Sequence, residues 1–151
     1  MLKQLPLATC LFFMTGMALA QAKLAASASP APSFFQEASD CAAAFEARVL
    51  ERRAQPRSDA RNQAILSDTQ LGFVYAGLAY EQGLRNPEAG QMLKASQKRW
   101  STLSKAEQQS ALVVCTAKAQ QLMKDINALE RFIVKNRAKA RVDKLLRSEK
   151  P

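Results

Sequence analysis

A chain of 151 residues with 48% hydrophobic content is one domain's worth of sequence, with enough apolar material for a packed core. Its formal net charge is +9 and it contains no histidine. That absence excludes His-based general acid–base catalysis, Ser-His and Cys-His nucleophilic pairs, and histidine ligation of metal or haem.

Residues 1–20 have the layout of a bacterial secretory signal peptide. Lys3 supplies the positive start, Leu5 to Ala18 is apolar and uncharged, and Ala18-Leu19-Ala20 is a small-x-small cleavage pattern. Cleavage is predicted after Ala20. The apolar stretch is shorter than the roughly 20 residues that span a bilayer, and no later segment is long enough either. The expected location is therefore the periplasm, as a secreted chain starting at Gln21. Of the three cysteines, only Cys41 and Cys115 follow that cut. In an oxidising compartment two cysteines read as one disulfide bond. There is no CxxC motif, and two lone sulfurs without histidine make a poor metal site. No cofactor is expected.

Residues 21–32 are rich in Ala, Ser and Pro and read as a flexible lead-in. The first helix follows, with Ser33 and Gln36 at capping-box spacing. Phe35, Ala38, Ala42, Phe45 and Val49 then recur at steps of three and four, with Phe34 and Cys41 beside them. This helix ends near Pro56.

A second helix is expected from Ser58-Asp59 to about Arg85. Its middle, Thr69 to Tyr80, carries no charge, which is the mark of a buried helix. Gly72, Ala76, Ala79 and Gly83 form a small-residue stripe along it. The stripe reads either as close helix packing or as a ligand groove. Asn86-Pro87-Glu88 opens a third helix, with proline at the first helical position. Its modest apolar face is Ala89, Met92 or Leu93, Ser96, Trp100 and Leu103. The tryptophan reads as an amphipathic edge closing the core, or else as a binding platform.

Ser104 and Glu107 form another capping box, predicted to open one long helix from Lys105 to about Ser148. Leu112, Cys115, Ala119, Leu122, Ile126, Leu129 and Ile133 make a heptad seam along it. Leu103-Ser104-Lys105-Ala106-Glu107 lies near the Leu-Thr-x-x-Gln signature of small helical periplasmic stress chaperones. It departs from that signature at two of three specified positions, and the capping box accounts for it in full. No family is claimed on it.

Together these elements predict an all-α protein. Residues 33–133 form a small four-helix bundle with one interhelical disulfide, and the long last helix projects beyond the core as a basic, amphipathic extension, residues 134–151. Between Arg131 and Lys150, eight Lys and Arg face only Asp143 and Glu149. Arg131, Lys135, Arg137, Lys139, Arg141, Lys144 and Arg147 are the candidate contacts to an anionic surface. Val134, Ala138, Val142, Leu145 and Leu146 line the apolar side of the same helix. Such a helix either lies on anionic membrane or cell wall, or serves as a solubilising end. Nucleic acid is a poor partner outside the cytoplasm, and no aromatic beyond Phe132 interleaves the charges.

Among carboxylates only Glu81, at the edge of the uncharged helix, invites inspection as a buried general acid. No phosphate loop, Gly-x-Ser-x-Gly elbow or Ser-x-x-Lys set is present. The expected function is non-enzymatic: an interaction, adaptor or chaperone-like module of the bacterial envelope. The alternative is a peripheral binder acting through its basic end.

Overall fold

The computed structural model describes residues 33–148. The predicted signal peptide, its cleavage site, the lead-in and Lys150 lie outside the described residues. Five helices follow one another: α1 (Phe34–Arg53), α2 (Asp59–Glu81), α3 (Glu88–Thr102), α4 (Lys105–Asp125) and α5 (Ala128–Arg147). No strand occurs among the described residues.

Helix α1 starts where Ser33 accepts a hydrogen bond from the Gln36 backbone N–H at 3.2 Å. The expected return bond is absent. The Gln36 amide donates instead to Asp40 at 3.1 Å and to Ser96 of α3 at 3.5 Å, tying α1 to α3. Ser58 caps α2 in the same way, at 3.1 Å from the Arg61 N–H. The buried Arg61 guanidinium donates to the carbonyls of Arg53 and Gln55 and so fastens the turn between α1 and α2.

Helix α2 stops four residues earlier than predicted, at Glu81. Gly83 lies beyond it with φ +108°, a left-handed conformation that glycine adopts without Cβ strain. The Leu84 N–H bonds the Ala79 carbonyl at 2.9 Å, the Gly83 N–H bonds that of Tyr80 at 3.1 Å, and Leu84 is buried. This is a Schellman stop, so Gly83 terminates the helix and does not belong to a packing stripe. At the next helix, Pro87 sits in the cap position and Glu88 is the first helical residue.

The predicted single helix from Lys105 to Ser148 is two helices, and the bundle therefore has five. Asn127 accepts from the Glu130 N–H at 2.9 Å, and the Glu130 carboxylate accepts from the Asn127 N–H at 3.0 Å. That second capping box restarts the chain in a new direction. The heptad seam is buried only as far as Ile126; beyond it Leu129 is 67% exposed and Ile133 is 42% exposed. The other register prevails in α5. Val134, Ala138 and Val142 are buried, and Val142 clusters with Val49 of α1 and Ile65 of α2. The last helix therefore packs into the bundle and is not an extension beyond a core ending at residue 133.

The main core joins Ala38, Cys41 and Phe45 of α1 to Val74, Tyr75 and Ala79 of α2 and to Leu112, Cys115 and Ala119 of α4. Trp100 packs against its edge, as a core-closing aromatic. Cys41 and Cys115 form the disulfide between α1 and α4, with Cα atoms 5.5 Å apart. The Tyr75 hydroxyl donates to the Cys115 carbonyl at 2.9 Å, so α2 is pinned beside the bridge. Burial, and after it the negative charge of Glu37, push the Tyr75 phenol up to about 12.

Candidate functional site

The central helix has two unlike faces. One carries Ile65, Asp68, Tyr75 and Ala79, all buried. Asp68 is 1% exposed and receives Arg48 and Arg52 of α1; the Arg52 Nε lies 2.6 Å from its carboxylate. Arg48 also stands over the Phe45 ring, 5.5 Å from its centroid. Periodicity carried a signal for this cluster. Asp68 lies one turn beyond Ile65 and two turns before Tyr75, and Arg48 and Arg52 are one turn apart on α1.

The other face is Thr69, Phe73, Ala76 and Tyr80, at steps of four, three and four. Phe73 is half-buried, Ala76 is exposed and Tyr80 is 60% exposed. Phe73 packs against the main core, but Ala76 and Tyr80 are left open by the described helices, contrary to the expectation of a buried central helix. Three depressions meet there, and Ala76 lines all of them. The first, about 300 Å³, lies between α1 and α5, with Leu50 and Glu46 on one wall and Arg141 and Leu145 on the other. The second, about 240 Å³, is bounded by Ala38 of α1 and by Ala89 and Leu93 of α3. The third, about 530 Å³, runs between Phe73, Gly77 and Tyr80 and the α5 residues Ile133 and Arg137.

The small-residue stripe thus divides. Gly72 serves packing: a Cβ there would meet the Phe45 Cβ at 3.4 Å. Ala79 is core, Gly83 is a helix stop, and Ala76 is the floor of an open trough.

The candidate cations divide as well. Arg131 is half-buried and donates to the carbonyls of Lys124 at 3.2 Å and Ile126 at 3.0 Å, where it closes the end of α4. Lys135, Arg137, Lys139, Arg141, Lys144 and Arg147 are exposed. Lys139 pairs with Asp143 at 2.9 Å, and Arg147 donates to the Asp143 carbonyl at 3.2 Å. Arg137 and Arg141, one turn apart, border the trough and form no ion pair with a described residue. At the far end, Arg85 lies over the Tyr80 ring, 3.7 Å from its centroid.

Glu81 borders the third depression but is exposed, so it is not the buried carboxylate the sequence suggested inspecting as a general acid. Among the described residues no group of three or more His, Cys, Asp or Glu is placed to hold a metal ion, and no helix is long and apolar enough to cross a membrane. Compared with known proteins, the chain matches no family model, no curated protein and no solved structure.

Proposed function

We propose that this chain is an exported, non-enzymatic interaction module of the bacterial envelope, adaptor-like or chaperone-like, that works through the open face of α2. One observation carries the reading: the uncharged stretch of the central helix, residues 69–80, exposes Ala76 and Tyr80 in a trough whose neighbours, Phe73 and Leu93, are also apolar. Exposed apolar surface collected in one place marks a docking region. The Cys41–Cys115 bridge supports export, since oxidising compartments maintain such links.

The test is a photo-crosslinking residue at Ala76, compared with one at the exposed Gln109 of α4, in cells that export the protein. The expected result is a discrete protein adduct at position 76 and none at 109. Equal labelling at both positions, or none at either, overturns the reading. Mass spectrometry of the exported protein is expected to find an N-terminus at Gln21 and no free thiol.

A second reading, a peripheral binder of anionic membrane or cell wall, is favoured by the six exposed cations of α5 and by exposed Leu129 and Phe132 at its start. The apolar stripe of α5 is already spent on the core, so attachment would be electrostatic and salt-sensitive. Co-sedimentation with phosphatidylglycerol vesicles, lost on changing Lys135, Lys139 and Lys144 to Glu, would establish it.

A further inference from the structure

Resting on the second reading, the peripheral binder, we propose that the surface α5 meets is an anionic phospholipid bilayer, with Leu129 and Phe132 entering the headgroup boundary and the exposed cations lying on the phosphates. Charge is unevenly shared between α5 and the rest of the molecule. Residues 33–127 carry twelve Lys and Arg against ten Asp and Glu, a net +2. Helix α5 carries seven against two, Glu130 and Asp143, a net +5 with both carboxylates counted in full. Arg131 is tied to the end of α4, and the other six cations are exposed. From Lys135 to Arg147 they extend over about 18 Å at the usual helical rise.

The same helix has an apolar outer corner. Leu129, Phe132 and Asn136 recur at steps of three and four, on the side of α5 opposite the buried Val134, Ala138 and Val142. The buried trio is held in the core and cannot meet lipid. Leu129 is 67% exposed and Phe132 62% exposed. Lys135 and Lys139 follow Phe132 along one edge of that outer side, and Arg137 and Lys144 lie along the other. Asp143, on the same side, is paired with Lys139 at 2.9 Å. The corner is also stiff. Arg131 holds the carbonyls of Lys124 and Ile126, and Asn127 and Glu130 cap each other, so little ordering is left to be paid on docking.

A bilayer suits this combination. Anionic headgroups attract cations spread over a surface without fixed pairing, and an aromatic with a leucine can sink to the acyl boundary beside them. The outer side of a helix is convex. A folded acidic protein would need a matching hollow to cover Leu129 and Phe132, whereas a fluid surface deforms around them. Two apolar side chains are too few to hold the protein alone, so charge brings it to the surface and the corner adds to the hold.

The test co-sediments the disulfide-bonded chain, as exported, with vesicles of phosphatidylcholine alone or with about 30% phosphatidylglycerol. The expected result is binding to the mixed vesicles only, falling as salt rises. Leu129→Ser with Phe132→Ser should weaken that binding at least about tenfold and leave thermal unfolding unchanged, because both side chains are exposed. An environment-sensitive dye on Phe132→Cys should brighten and shift to the blue on the mixed vesicles, and the same dye on Gln109→Cys of α4 should not.

Equal binding to both kinds of vesicle, or an equal dye response at the two positions, overturns the proposal. So does binding of polyglutamate with the same loss in the Leu129 and Phe132 variant, which would make the partner an acidic protein. If Lys135, Lys139 and Lys144 changed to Glu remove vesicle binding while the Leu129 and Phe132 variant binds like the parent, the peripheral reading stands and only the insertion falls. If the mixed vesicles are not bound at all, both fall.

Discussion

The two faces of α2 are built from the same kind of sequence and end in opposite situations. On one, Ile65, Tyr75 and Ala79 are within 3% of full burial, and Asp68 is held there by two arginines. On the other, Phe73, Ala76 and Tyr80 carry no charge; Phe73 packs half-buried against the main core, while Ala76 and Tyr80 stay exposed beside α1, α3 and α5. Hydrophobicity alone does not separate them. What separates them is cross-linking to the neighbours: the first face has a disulfide beside it, a tyrosine bond to Cys115 and an ionic cluster. The first face should therefore answer for stability and the second for binding.

The largest test of that division is the disulfide. Its two sulfurs are 74 residues apart in sequence, so opening it restores a long loop's freedom to the unfolded chain. Replacing Cys41 and Cys115 with Ala is expected to cost about 4 kcal/mol, read by urea unfolding. Next comes Asp68→Ala, which leaves Arg48 and Arg52 facing each other without their anion. The expected loss is on the order of 3 kcal/mol. A double-mutant cycle with Arg52→Met should show a coupling of about 1 kcal/mol or more. Additive losses would mean that the ionic cluster does not act as a unit.

Alkaline pH probes the same face more gently. The Tyr75 phenol stays protonated in the folded protein up to about 12, while the unfolded chain releases that proton from its ordinary value of 10.0. Between these two values the folded state holds more protons, so stability falls as pH rises, by about 1.4 kcal/mol per pH unit. Below the lower value this contribution is constant. Tyr75→Phe should remove the Tyr75 part of the slope and cost about 1 kcal/mol at neutral pH through the lost bond to Cys115. An unchanged slope would mean that other groups carry the alkaline loss.

Much of this was legible in the sequence. The helix starts at Ser33, Ser58 and Ser104, the all-α class and the Cys41–Cys115 pairing follow from local chemistry and periodicity. What escaped was decided by competition between local signals. Ile126, Leu129 and Ile133 keep the heptad spacing, and that continuity hid the Asn127–Glu130 box that breaks the helix. Val134, Ala138 and Val142 read as a free amphipathic side because periodicity does not say which of two registers finds a partner. Gly83 looked like part of a stripe because spacing carries no φ angle. The open trough was legible only as one alternative at Ala76, since an uncharged helix predicts burial without saying on how many sides. Glu107 behaved as its motif implies: the hydroxyl of Ser104, then its backbone N–H, hold that carboxyl below its usual range.

The smallest expected change in stability is at Ala76, and there the comparison is sharpest. The residue is exposed on a helix, so Ala76→Gln exchanges one good helix former for another and removes no core contact. Thermal unfolding should move by less than about 0.5 kcal/mol equivalent. Yet the added side chain stands where three depressions meet, so it occupies the floor any docked partner would use. A variant that folds like the parent and loses its crosslinked adduct would separate the two faces of α2 by experiment. A comparable loss of stability would place Ala76 with the core, and the trough would then be packing left incomplete rather than a surface kept open for a partner.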